Sequence, residues 1–355
     1  MTNALSLKPD YWRYFAREAA KGGDCLLYEL LANAIAGDPE IQAVTAGAQP
    51  GQPPANMLFA AVHFTLLGGA DHPLRRYYGH LLKPGESEAE VTDSAYPLFR
   101  DFVLTHRPAL EALIATRVTN TNEVRRSTFL RAGYALIAAE TGKPLGITEL
   151  GPSAGLNLNW DRYAYRYHLP DGGVLSGGPA SSLVLDCAVR GGMPPVPEAP
   201  PAVASRLGLE LNPVDLTSET DRRWLVALLW PSQPDRIARL QGALAIAADH
   251  PPPIRPGNAL LAIGPALAAL PKDAAAVVTH SLVTYQWTKA MRDEMNALLL
   301  DISRTRPVHR LSAEFKVEGE SWDYPLRLDV YDGGAQETRI LAGVHHHGSW
   351  IDWAM

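Results

Sequence analysis

Gly146-Ile-Thr-Glu-Leu-Gly-Pro-Ser-Ala-Gly-Leu-Asn-Leu-Asn-Trp-Asp-Arg-Tyr-Ala-Tyr-Arg-Tyr167 is the stretch on which the reading of this chain turns. A short apolar run ends in Glu149, and Gly151, Ser153 and Gly155 then alternate with small residues. Leu156, Trp160, Tyr163 and Tyr167 recur at spacings of four, three and four, which predicts one face of a helix. The expected local structure is strand, tight glycine turn and then a helix over 153–165. Glycines let backbone approach a ligand closely, and the free N–H groups of a helix start suit an anion or a ribose-bearing cofactor.

Two chemistries share these residues. The spacing Glu149-x-Gly151-x-x-x-Gly155 resembles the first motif of S-adenosylmethionine-dependent methyltransferases, with Ser153 where a middle glycine often stands. Gly151-x-Ser153-x-Gly155 also spells the nucleophile elbow of serine hydrolases. A nucleophilic serine needs a base, an acid and an oxyanion hole. Ser153, Asp215 and His280 or His347 follow in the hydrolase order, but that fold places several strands before the elbow, and residues 1–140 carry no strand pattern.

With 355 residues the chain can build two core-bearing units. Hydrophobic residues make up 46%, yet no apolar run reaches the roughly 18–20 residues of a membrane span. Lys8, Asp10, Arg13, Arg17 and Glu18 interrupt any signal-peptide pattern. Cys25 and Cys187 alone make neither a disulfide framework nor a zinc knuckle. The expectation is a soluble, cytoplasmic protein without membrane partners. A net charge of −6, a pI near 6.0 and the lack of a Lys/Arg run argue against nucleic acid as a partner. A small-molecule substrate is expected instead, and the oligomeric state is left open.

The first 142 residues read as a helical cap domain. Segments 10–20, 55–67, 93–106 and 108–116 are expected helices, a further one is capped by Asp24 and another starts at Asp71-His72-Pro73. From Lys143 strands and helices alternate, the mark of a parallel sheet. Strands are expected at 146–150, at 183–188 in an insertion of about 168–203, up to Glu210, up to Gly257-Asn258, at 274–279 and at 309–315. A hairpin of 324–331 and 338–344 turns through Asp332-Gly333-Gly334. The fold class is thus α/β: a Rossmann sheet like that of S-adenosylmethionine methyltransferases, over 143–355, with a helical N-terminal domain.

Six segments together resemble one bacterial family, domain-of-unknown-function family 2332. They are Gln52-Pro-Pro-Ala-Asn-Met-Leu58, Thr121-Asn-Glu-Val-Arg-Arg126, Glu149 to Tyr163, Gly208-Leu-Glu-Leu-Asn-Pro-Val-Asp215, Val278-Thr-His-Ser281 and His347-Gly-Ser-Trp350. The resemblance spans nearly the whole chain and implies the domain layout rather than an activity. The family usually carries an acid where Asn258 stands, although an amide oxygen still accepts from an exocyclic amine.

Ligands of parallel sheets bind outside the carboxyl ends of the strands, and Glu149, Glu210, Asn258 and His280 each fall at or near such an end. Cofactor contacts are therefore expected from Glu149, Gly151, Ser153, Gly155, Glu210 and Asn258, the cofactor being S-adenosylmethionine. The bland alternatives are a ligand-free turn for the glycines and a cap or Arg162 pair for Glu149. Glu210 is the expected ribose acid, because a carboxylate accepts two hydrogen bonds from a cis-diol, with Asp186 as competitor. His280 is the candidate general base, or a satisfied core histidine. Asn122, Glu123 and Arg126, with Ser281, are the candidate substrate contacts; Asn120 and Glu123 also make a capping-box pattern, and Glu123–Arg126 an i,i+3 pair. His345, His346 and His347 would alternate across a strand, so no metal is expected there. A binding protein of methyltransferase shape without turnover is the second functional class, and the hydrolase the third.

Overall fold

The helical spacing before residue 120 becomes helix in the computed structural model, which describes residues 8–21 and 25–354. Helices run over Pro9–Ala20, Leu26–Ile35, Pro54–Leu67, Ala95–Thr105 and Arg107–Thr116. Pro73–Tyr77 forms only a 3-10 turn, and Asp24 lies outside the described residues. None of the described helices is long and apolar enough to cross a membrane.

The chain forms two compact units. One holds the residues up to 121 together with 217–241; the other holds 122–216 together with 242 onward. The first unit is built on an aromatic core of Trp12, Phe15, Tyr28, Phe59 and Phe99, with Tyr28 and Phe59 stacked at 4.2 Å. Its returning segment brings the helix Glu219–Ala227 onto Pro54–Leu67, and the Trp224 Nε1–H donates to the Val118 carbonyl at 2.9 Å.

The second unit is a mixed α/β structure with an eleven-stranded, mostly parallel sheet. In chain order the strands are β1 (Leu145–Leu150), β2 (Ala164–His168), β3 (Val174–Gly177), β4 (Val184–Gly191), β5 (Val203–Glu210), β6 (Ile254–Pro256), β7 (Ala275–Ser281), β8 (Val308–Ala313), β9 (Pro325–Asp332), β10 (Ala335–Val344) and β11 (Trp350–Trp353). Across the sheet they lie in the order β3-β2-β4-β11-β10-β9-β8-β7-β1-β5-β6. Within it β6, β5, β1, β7 and β8 are all parallel. Numbered among themselves in chain order, they run third, second, first, fourth, fifth. The order reverses between β1 and β7, and that switch point is where open parallel sheets leave a crevice at their carboxyl edge.

One reading of the sequence is corrected here. The helix expected over 153–165 is a 3-10 segment, Leu156–Arg162, and the chain then enters β2. Tyr163, Tyr165 and Tyr167 are all buried while Ala164, Arg166 and His168 are not, so the aromatic pattern obeys the period of two of a strand. The expected insertion of about 168–203 adds strands to the sheet: β3 and β4, together with β2 before them, continue it beyond β11.

The helix Ser127–Thr141, which the sequence grouped with the N-terminal helices, lies in the second unit and packs against β4, β7 and β8. Gly133 permits this closeness, since a Cβ there would stand 2.5 Å from the Leu311 side chain. Leu150, Leu209, Ala276, Val278 and Val308 form the core of the opposite sheet face, against Ala259–Ala268 and Lys289–Ile302.

Candidate functional site

Register decides which candidates meet. Glu149 stands beside Gly208 of β5 and Thr279 of β7. Directly paired residues of parallel strands share a face, and the next residue along points the other way. Glu149 therefore shares its face with Thr279 and Ser281, whereas His280 shares the other face with Ala276 and Val278. Glu210, two residues beyond Gly208, lies on the Glu149 face.

Beyond β1 the chain makes a tight turn with positive φ at Gly151, Ser153 and Gly155. The Gly155 N–H bonds the Pro152 carbonyl at 2.9 Å, Ser153 has φ 58° and Gly151 and Gly155 have φ 61° and 73°. Glu210 closes it: one carboxylate oxygen accepts the Ser153 N–H at 2.8 Å, the other the Asn212 N–H at 3.0 Å. The space a Cβ would take at Gly151 is filled by Val283, and at Gly155 by Pro252 and Ile254. These glycines thus serve close contact between chain segments.

Asn122, Glu123 and Arg126 belong to the same unit as the sheet and are stitched to the turn. The Asn122 carbonyl oxygen accepts the Leu156 N–H at 3.0 Å. Asn157 donates to the Glu123 backbone carbonyl at 3.3 Å and accepts the Ser127 hydroxyl at 2.8 Å. The helical start lies later than the capping-box pattern placed it: Val124–Arg126 is a 3-10 turn, and the Glu123 carboxylate itself caps the Arg125 N–H at 3.2 Å. Arg126 donates from Nε to the His346 carbonyl at 2.9 Å, and from Nη1 to the Ser281 carbonyl at 3.0 Å and hydroxyl at 3.3 Å. It therefore ties the end of β7 to the loop after β10.

Glu149 is buried, with 4% of its surface exposed. Burial pushes its pKa up to about 8; the Arg126 guanidinium pulls it down and the Glu210 carboxylate pushes it further up. Among the described residues no hydrogen bond supports its charged form. Its burial beside a second carboxylate, at the carboxyl end of a strand, makes Glu149 a candidate functional residue.

On the opposite face His280 Nδ1 lies 2.7 Å from a Glu314 oxygen, and both side chains are buried. Glu314 also accepts the Val283 N–H at 2.9 Å and the Thr284 N–H at 3.2 Å. Burial raises the Glu314 pKa, but the bond and charge of His280 and the two backbone donors carry it below the ordinary carboxylate value. The sequence reading missed Glu314. Its one signal was a carboxylate directly after the fifth parallel strand, the position class that had singled out Glu149 and Glu210.

Other candidates fall elsewhere. Asn258 caps a helix, its side-chain oxygen accepting the Leu260 N–H at 2.9 Å. Asp186 sits within β4 and pairs with Arg166 at 2.8 Å and His168 at 2.6 Å, far in strand order from β1. His345, His346 and His347 do not alternate on a strand, because β10 ends at Val344. Their rings gather in the following loop, with centroids 4.0 Å apart for His346–His347 and 4.4 Å for His345–His346. Among the described residues no group of three or more His, Cys, Asp or Glu could hold a metal ion.

The sequence model of one family, described as an uncharacterized protein conserved in bacteria (DUF2332), matches residues 10–353. No curated protein and no solved structure matches the chain.

Proposed function

The chain belongs to DUF2332, and from that premise we propose that its second unit is a methyltransferase-like Rossmann domain that transfers a methyl group from S-adenosylmethionine to a small molecule. The observation that carries this reading is the switch point between β1 and β7, with buried Glu149, Glu210, His280 and Ser281 at the carboxyl ends of three adjoining strands. Burying polar groups is costly unless partners satisfy them, and the carboxyl edge at a switch point is where ligands of open parallel sheets bind.

The polar set fits the cofactor's parts. Each Glu210 oxygen accepts one backbone N–H and keeps a second lone-pair site for a ribose hydroxyl. The Asn258 oxygen has the same spare capacity for an adenine amine. The Glu149 carboxyl would meet the ammonium, and Arg126 supplies a positive field for a carboxylate. The glycines add nothing to this fit, since Val283, Pro252 and Ile254 occupy the space beside them. When bound, S-adenosylmethionine supplies an electrophilic methyl group. The residues of this chain would bind and orient it, and His280 would accept the proton of the methyl acceptor from the sheet face opposite Glu149.

Isothermal calorimetry with S-adenosylhomocysteine tests the reading. We expect binding, weakened about tenfold or more in Glu210→Gln, since loss of a charge-assisted bond costs ~1.5–3 kcal/mol and each ~1.4 kcal/mol is a factor of ten. No heat of binding for the native protein at millimolar ligand would end the methyltransferase reading.

A further inference from the structure

The His280–Glu314 pair carries an inference that does not depend on the cofactor. His280 Nε2 is buried and has no hydrogen-bond partner among the described residues, while Nδ1 faces the Glu314 carboxylate at 2.7 Å. Glu314 is held in place by two backbone N–H groups as well, from Val283 and Thr284. A carboxylate only accepts, so Nδ1 must carry the proton. In the neutral ring the second nitrogen is then a bare lone pair. On the sheet face of His280 lie the apolar Val278 and Val308 and, directly beside His280 in register, Ser312, yet no donor reaches Nε2 within hydrogen-bond distance among the described residues. A buried acceptor left unsatisfied costs free energy in the unliganded fold, and a ligand that brings a donor recovers it.

We propose that Glu314 is a positioning residue that locks His280 in the Nδ1–H tautomer, and that Nε2 receives the O–H or N–H of a small, largely apolar ligand at the carboxyl end of β7. Applied to the methyl-transfer reading, on which this last step rests, the acceptor is a protic one. Its oxygen or nitrogen forms the new bond to the methyl carbon, the carbon–sulfur bond breaks with its electrons going to sulfur, and the acceptor's proton passes to Nε2. The resulting imidazolium is stabilised by the Glu314 carboxylate. A C–H acceptor would leave Nε2 without a task.

The experiment is nitrogen NMR of the full chain labelled with 15N-histidine, at pH 8, with phenol as a donor probe and anisole as its counterpart without a donor. In the native protein His280 should show a protonated Nδ1 and a bare Nε2. Millimolar phenol should shift the Nε2 resonance, and anisole should not. Glu314→Gln should give a mixture of tautomers and lose the phenol shift, and Glu314→Asp should restore both. If Glu314 only holds the backbone, its replacement by Gln will move the Val283 and Thr284 amide resonances and leave the His280 tautomer unchanged, which overturns the proposal. So does a protonated Nε2 in the native protein, or an Nε2 resonance that ignores phenol or follows anisole equally. A phenol response without any S-adenosylhomocysteine binding would sink the methyl-transfer reading and leave this one standing.

Discussion

Glu149 is the residue whose protonation should report on the site. With its pKa at about 8 it is mostly neutral at pH 7, and a cationic ligand beside it would favour the charged form. Binding of S-adenosylhomocysteine, which brings an ammonium, should therefore release a proton. Affinity should rise with pH toward about 8 and level off above it, and the calorimetric heat should depend on the buffer's ionisation enthalpy. In Glu149→Gln both dependences should vanish; their persistence would place the ammonium elsewhere. Ser153 poses the competing chemistry at the same scale. Its positive φ in a turn after a strand is the one feature here that suits a strained nucleophile. Against that, its N–H is committed to Glu210 and a 3-10 segment stands where an elbow needs a helix. A fluorophosphonate probe should leave Ser153 unlabelled, and stoichiometric labelling lost in Ser153→Ala would put the hydrolase first.

Among the elements, the turn after β1 depends on side chains from four others: Asn122 before the helix Ser127–Thr141, Glu210 of β5, Pro252 and Ile254 at β6, and the Val283 loop after β7. Gly155→Val would strain φ 73° and collide with Pro252 and Ile254, so it is a folding lesion and no test of ligand binding. Asn122→Ala is the cleaner probe. It leaves the buried Leu156 N–H without its acceptor, which costs ~1–3 kcal/mol. Urea unfolding should show that loss as a lower midpoint with an unchanged slope. An unchanged midpoint would mean that water replaces the amide and that the turn needs no cap.

At the scale of the whole molecule, two buried groups, His63 in the first unit and Glu149 in the second, should bend the dependence of stability on pH in opposite directions. In the first unit His63 Nδ1 must donate to the Ala227 carbonyl at 3.1 Å, so its Nε2 accepts from His80 Nε2–H at 2.8 Å. Protonating either ring sets two N–H groups against each other. Burial first, and for His63 also the His80 charge, lower the pKa values to about 3 for His63 and about 4 for His80. The unfolded chain, at ~6.5, binds more protons, so the first unit should lose stability as pH falls from ~6.5 toward 3. Glu149 has the reverse sign. Its folded pKa lies above the unfolded ~4.3, so its contribution is whole below that value and is lost as pH rises through about 8. Thermal melts at pH 4 and pH 9 should differ accordingly. His63→Gln should flatten the acid side and Glu149→Gln the alkaline side; slopes unchanged by both would refute these assignments.

What the residues determined by themselves was local. The apolar run into Glu149, the Gly333–Gly334 hairpin turn and the amphipathic helices before residue 120 each answer to nearest-neighbour physics, which chain order encodes directly. Tertiary structure decided what depends on partners distant in sequence. Tyr163 to Tyr167 fit a helical face and a strand face alike, and only pairing with β3 and β4 makes them a strand. Arg126 looked like part of a helix start, yet its donors reach Ser281 and His346, more than a hundred and fifty residues away. Register, fixed by β1 against β7, put Glu149 and His280 on opposite faces although both end parallel strands. Glu314 became visible only once β8 lay beside β7, because a carboxylate acquires a role from the imidazole it faces and not from its neighbours in the chain.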